Sequence, residues 1–348
     1  MKRHSDIRAT FRVLALTAML LGALSCHRRP LEDPDFSTRI EVKVNITAIA
    51  NVTCDVYNEY IPIPDINPEV MRVMFYSPNS DKLLAESFIT DVQQDENGQM
   101  SIRGDISILP GDYRMLIYQF GTESTQIWDY ASFDKAAAYT DALSEEALKA
   151  LQLKADVNYD QPIRYQPDHT IVARSEHETI PYHAGVYTIT AEASSIVETY
   201  YLQVKVDGLQ WVSSAKAVLT SMSPSVTLAA VDRDYDNPCA IYTPLLKSED
   251  HDGEAVVCNI FNTFGRIPES TNNLDVTFEL RTTDGRTISK TFDISDLFLS
   301  EDCINHHWLL VEETIVVPPP EDPDPSPGGG GFDPTVDDWE EERHEIEL

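Results

Sequence analysis

The sequence contains no apolar run long enough to cross a bilayer, no C-x-x-C pair and no G-x-S-x-G elbow. Its longest greasy stretch, 13–24, has twelve residues, whereas a spanning helix needs roughly 20. Basic residues are scarce: 26 Lys and Arg stand against 58 Asp and Glu, a formal net charge of -32. Such a surface repels phosphate backbones, which excludes nucleic acid as a partner, and it gives no electrostatic hold on anionic lipid. The four consecutive glycines at 328–331 follow prolines and precede Asp and Pro rather than a helix, so they make no phosphate loop. No nucleophile–base set or carboxylate pair can be singled out among so many acids, so no catalytic residue and no cofactor is assigned.

What is present begins at the N-terminus. Lys2, Arg3, Arg8 and Arg12 precede the apolar run, small residues follow at Gly22, Ala23 and Ser25, and then comes Cys26. That order is the grammar of a secretory signal. With the Cys directly after the small residues it resembles a bacterial lipoprotein signal, although Ala23 occupies the place where such signals usually carry Leu. The resemblance implies cleavage between Ser25 and Cys26, and diacylation of Cys26 as the new N-terminus. Membrane attachment is then expected through acyl chains. The four other cysteines are Cys54, Cys239, Cys258 and Cys303. An exported chain can form disulfides, with Cys239–Cys258 the most plausible local pair; otherwise they read as small buried apolar residues.

Along the chain, residues 26–37 are a polar tether, and period-two alternation follows at once through Ile40, Val42, Val44 and Ile46. Strands are also expected at Met71–Tyr76, at 83–93 and 99–108 around Asn97-Gly98, and at 113–120. One helix is expected at 144–154, capped by Ser144 and lying as a loop insertion over a sheet edge. Further strands are read at 186–191, through Tyr200, Leu202, Val204 and Val206, at 217–219, at 274–280, at 288–294 after the Asp284-Gly285 turn, and at 308–317. The pattern predicts an all-β protein of two β-sandwich domains with one short helical insertion, spanning 38–182 and 183–317 with a boundary near 179–184. Residues 318–331 hold six prolines and then the four glycines, a semi-rigid arm. Beyond it 332–348 is an acidic segment carrying Val336, Trp339, Ile346 and Leu348, read as a terminal strand that pairs with its own domain or is exchanged with another subunit, against a plain acidic tail.

Metal chemistry has one weak candidate. Asp232, Asp234, Asp236 and Asn237 imitate the opening of a calcium loop, but Asn237 stands where Gly is needed and Thr243 where Glu is needed. His169, His177 and His183 are widely spaced, and His306 and His307 would point to opposite faces of a strand, so no zinc ligand set is spelled out.

A wider resemblance covers nearly the whole mature chain. Cys26-His-Arg-Arg-Pro-Leu-Glu-Asp-Pro, then Leu-Pro-Gly-Asp-Tyr (109–113), Tyr-Gln-Phe-Gly-Thr-Glu (118–123), and a Gly-rich arm before Val-Asp-Asp-Trp-Glu (336–340) and Ile-Glu-Leu resemble the fimbrillin-associated lipoproteins of Gram-negative gut and oral anaerobes. The resemblance implies two transthyretin-like, Greek-key β-sandwiches, an outer-membrane lipid anchor at the cell surface, and fimbrial subunits as partners joined by strand addition. In that family polymerising subunits are cut after Arg or Lys to discard the first strand. Here no Lys or Arg occurs between Lys43 and Arg72. Cutting at Arg39 would remove only the tether, so this chain is expected to keep its first strand as an anchor or accessory subunit. The alternative is a surface glycan-binding lipoprotein that feeds a transporter.

Overall fold

The computed structural model describes residues 37–46, 66, 68–96, 98–151, 161–268 and 274–320. The first sandwich opens with β1 (Thr38–Ile46), β2 (Met71–Tyr76), β3 (Leu83–Ile89), β4 (Asp91–Gln94), β5 (Met100–Ile108) and β6 (Gly111–Gln119). An insertion follows, made of β7 (Thr125–Trp128), β8 (Ala137–Thr140), helix α1 (Glu145–Ala150) and β9 (Ile163–Arg164). Strands β10 (Ile171–Ile180) and β11 (Val186–Ser195) return to the first sandwich. The second comprises β12 (Glu198–Asp207), β13 (Val212–Met222), β14 (Ser225–Thr227), β15 (Cys239–Glu249), β16 (Ala255–Thr263), β17 (Asp275–Thr282) and β18 (Thr287–Asp293). Helix α2 (Glu301–His306) and β19 (Trp308–Val316) complete it.

Sheet order in the first unit is β3-β2-β6-β10-β11-β1-β5-β4. Only Ile171 and Val172 of β10 pair with β11, so two four-stranded halves hinge at that corner. They close on each other. Ile40, Val42 and Val44 share one buried cluster with Val73, Phe75, Met115 and Ile117 from the opposite half. The stretch 83–93, expected as one strand, breaks at Thr90, and the chain changes halves there. Gly104 permits the crossing, since a Cβ on it would stand 2.4 Å from the Ile89 side chain. The second unit repeats the plan in the order β18-β17-β13-β15-β16-β12-β19, its corner lying within β15, which pairs first with β13 and then with β16.

The expected domain boundary moves. Residues 179–184 lie inside the first sandwich, as the end of β10 and the turn after it, because β11 beyond them runs parallel to β1 from Arg39↔Val186 to Ile46↔Ala193. The chain leaves the first sheet only at Ile196 and Val197. Both are buried in a third core with Met74, Tyr118 and Phe133 from the first half and Val226, Leu228 and Phe264 from the second. The β14-β8-β7 sheet spans the same junction. Helix α1 is shorter than expected. Ser144 caps it by accepting a bond from the Ala147 N–H at 3.2 Å, and Leu148 packs toward Val218 and Ala240 on the second sandwich. His306 and His307 are no strand pair either. They end α2, His307 taking a left-handed φ of 61° as its cap.

Candidate functional site

A strand that can be lost or gained matters most where both its edges are paired. β1 is such a strand. It runs parallel to β11 and antiparallel to β5, with Val42 opposite Ile189 on one side and Gly104 on the other. Its alternation places Ile40, Val42 and Val44 at 0% exposure, each burial worth about 1.5–3 kcal/mol. Its first residue is tied down, as the Thr38 hydroxyl donates to the Pro181 carbonyl at 2.7 Å and accepts from the His183 N–H. Outward side chains pair across the ladder, Arg39 with Asp105 and Asn45 with Glu192. Without β1 the first core would lie open between β11 and β5.

The basic residues bracketing 44–71 are both committed. Lys43 lies within β1, paired to Thr190 and Arg103. Arg72, in β2, donates to Glu86 and to the Tyr118 hydroxyl, and its guanidinium sits 4.2 Å from the Tyr130 ring centroid. Its side chain is only 12% exposed. Arg39 has an accessible side chain but is the second residue of β1, so a cut after it would take Thr38 and Arg39 with the tether and leave Ile40–Ile46 in the sheet.

Among the described residues the outer edges of β3, β4, β18 and β19 carry no strand partner. β19 repeats for the second sandwich what β11 does for the first, running parallel to the opening strand with Tyr201↔Trp308 and Val204↔Val311 in register. It leads directly into Pro318, Pro319 and Pro320. Cys26, Ser25, Cys54 and the terminal-strand residues Val336, Trp339, Ile346 and Leu348 lie outside the described residues.

The acidic loop at 232–237 is a closed turn. Asp234 accepts from the Asp236 and Asn237 N–H groups at 3.0 and 3.2 Å, and the Asp232 N–H donates to the Thr227 hydroxyl. The group of described residues whose ligand atoms lie within 4.8 Å of one another is instead Asp250, His251 and Asp252. Asp250 spends one carboxylate oxygen on the Asp252 and Glu254 N–H groups of its own hairpin. Cys239, Cys258 and Cys303 are buried, and the Cys239–Cys258 bridge is not formed. Cys239 points into the second core, whereas Cys258 belongs to a separate cluster with Tyr201 and Trp308. Gly104 and the Arg72 cluster escaped the sequence reading, since an isolated Gly or Arg in a strand has no spacing that marks it.

The comparisons with known proteins follow this geometry. The profile of a family described as "Domain of unknown function (DUF5119)" matches residues 47–241. A Bacteroides ovatus protein named as a fimbrium anchoring subunit, Fim4B, is 22% identical over 259 residues, covering 74% of this chain and 66% of that protein. The chain thus spans just under two thirds of the length of that relative. A crystal structure of a Bacteroides ovatus protein carrying the name of an adhesin superposes with a TM-score of 0.53 at 18% identity, covering 86% of this chain and 98% of that one, and shares the two-sandwich fold. The fimbrial anchor protein Mfa2 of Porphyromonas gingivalis gives a TM-score of 0.44 at 15% identity over 80% of this chain and 90% of its own. With the profile match extending over more than half of its length, the chain belongs to the DUF5119 family.

Proposed function

We propose that this chain is a non-catalytic accessory subunit of a surface fimbrium, and that within it the chain serves as the anchor, held to the outer membrane by acyl chains on Cys26. The observation that carries the reading is the state of β1. The strand is centrally paired and fully buried on its inner face, and the chain offers no basic residue between Lys43 and Arg72 at which a cut would remove it. A subunit that keeps this strand cannot accept a replacement in the same groove. It can end or found a polymer but not continue one through that site. The likeness to a protein named as a fimbrium anchoring subunit supports the same role. Contact with the next subunit is then left to an open sheet edge or to the segment 332–348, by main-chain pairing of the β-augmentation kind.

The test is an unboiled detergent extract of native envelopes run on a denaturing gel, beside one from a strain truncated at Val317. A defined heavy complex that collapses on boiling is expected from the full chain. Its loss on truncation assigns the donor to 332–348. A lone monomer band in both strains contradicts the assembly role.

A further inference from the structure

The closed acidic loop holds two side chains outward at alternate positions, Arg233 and Tyr235. Three features make the placement rigid. The Asp234 N–H donates to the Ser225 carbonyl, the Asp234 carboxylate closes the turn behind it, and the Arg233 Nε donates to the Phe264 carbonyl at 2.6 Å. Gly265, at φ 116°, is the floor beneath Arg233: a Cβ there would stand 2.3 Å from the Arg233 Nε. Arg233 and Tyr235 line an open pocket of about 350 Å³ together with Tyr200, Phe298 and His307.

The pocket borders the acidic loop, but among the described residues its own charged lining is basic on balance. Its charged lining residues are Glu198, Arg233 and Arg266, one unit positive on a chain of net charge -32. Glu198 is already satisfied, paired with Arg233 and accepting the Tyr200 hydroxyl at 2.6 Å. The Arg266 guanidinium makes no hydrogen bond or ion pair among the described residues, and its central carbon lies 5.4 Å from the Phe298 ring centroid. An arginine without an ion pair among the described residues is informative in a sequence where acids outnumber bases 58 to 26.

We propose that this pocket binds a small carboxylate of monosaccharide size, its carboxylate on the Arg266 guanidinium and its body against Tyr235 and Phe298. A guanidinium presents a planar fork that matches a carboxylate. Aromatic walls with a few convergent polar groups suit a compact ring. The volume lies at the small end of the range for ligand sites, about 300–1,000 Å³. This site is independent of the assembly role.

The experiment is isothermal titration of the full mature chain with glucuronate, N-acetylneuraminate, glutamate and glucose, at low and at high salt. Saturable binding of an acidic sugar, weakened by salt, is expected, with glucose silent. Arg266→Gln should weaken it at least tenfold, whereas Arg39→Gln, at an exposed pair elsewhere, should leave it unchanged. Tyr235→Ala keeps the guanidinium and removes an exposed wall, so it should reduce sugar binding more than glutamate binding. Its thermal transition should match the parent chain and so separate loss of the site from loss of the fold. Glutamate bound as well as glucuronate would keep the carboxylate site and assign it to an amino-acid ligand. No saturable binding of any acid, equal binding of glucose, or binding undiminished in Arg266→Gln would overturn the proposal.

Discussion

At the scale of single residues, the buried thiols carry a pH dependence that can be measured. Burial in the second core pushes the Cys239 thiol up to about 12, and burial likewise raises Cys303 to about 11, both from an ordinary 9.0. A group whose folded pKa lies above its unfolded value favours folding in its protonated form. The contribution is therefore complete below pH 9 and lost as pH climbs toward 11–12. Burial raises Tyr76 and Tyr200 in the same direction, which adds to the loss. Urea midpoints should stay level from pH 7 to 8.5 and fall steadily above pH 9.5; a level profile to pH 11 would contradict this. Legibility at this scale was uneven. Ser144 was readable as a cap because an Ser before two glutamates has a local purpose. Asp232, Asp234 and Asp236 imitate only the opening of a calcium loop, and the same alternate carboxylates also suit a turn closed by Asp234. Ile89 lies 15 residues before Gly104 and Phe298 lies 32 after Arg266, and no local pattern encodes either contact.

Elements were read best where one strand face meets solvent. β1 shows buried residues at every second place from Thr38 to Ile46, and the sequence alternates to match. β10, β15 and β16 were missed. Ile171, Val172 and Ala173 are consecutive buried residues, as are Val256, Val257 and Cys258. Strands covered on both faces lose the period of two that identifies them. The turn at 181–185 has the Pro181 and Gly185 of a linker, so the sequence places the boundary one strand early. Val42→Pro tests the place of β1 directly. It removes the N–H of a doubly paired residue and should open the first sandwich. Amide exchange should then lose protection in β5 and β11 while β13 and β17 keep theirs. Protection unchanged in β5 would show that β1 is dispensable to the sheet.

At the scale of the whole molecule, the two sandwiches are joined by a packed third core, not merely by a linker. Phe133 sits at its centre with 0% exposure, edge-on to Tyr76 at 5.5 Å and beneath the Arg114 guanidinium at 3.8 Å. The insertion crosses to the second sandwich as well, β9 pairing with β15. Calorimetry should therefore show one joint transition for the intact chain. Phe133→Ala should cost about 3–5 kcal/mol and split it into two. Two separated transitions in the parent chain would mean that the junction does not couple the halves.

The central claim is that the mature chain keeps β1. The most direct measurement is the N-terminus of the protein purified from native envelopes, by mass spectrometry of its first proteolytic peptide. A start at a lipid-modified Cys26, with 38–46 intact, is the predicted result. A start between Ile49 and Val70 would show that the strand is removed, and would make the chain a polymerising subunit.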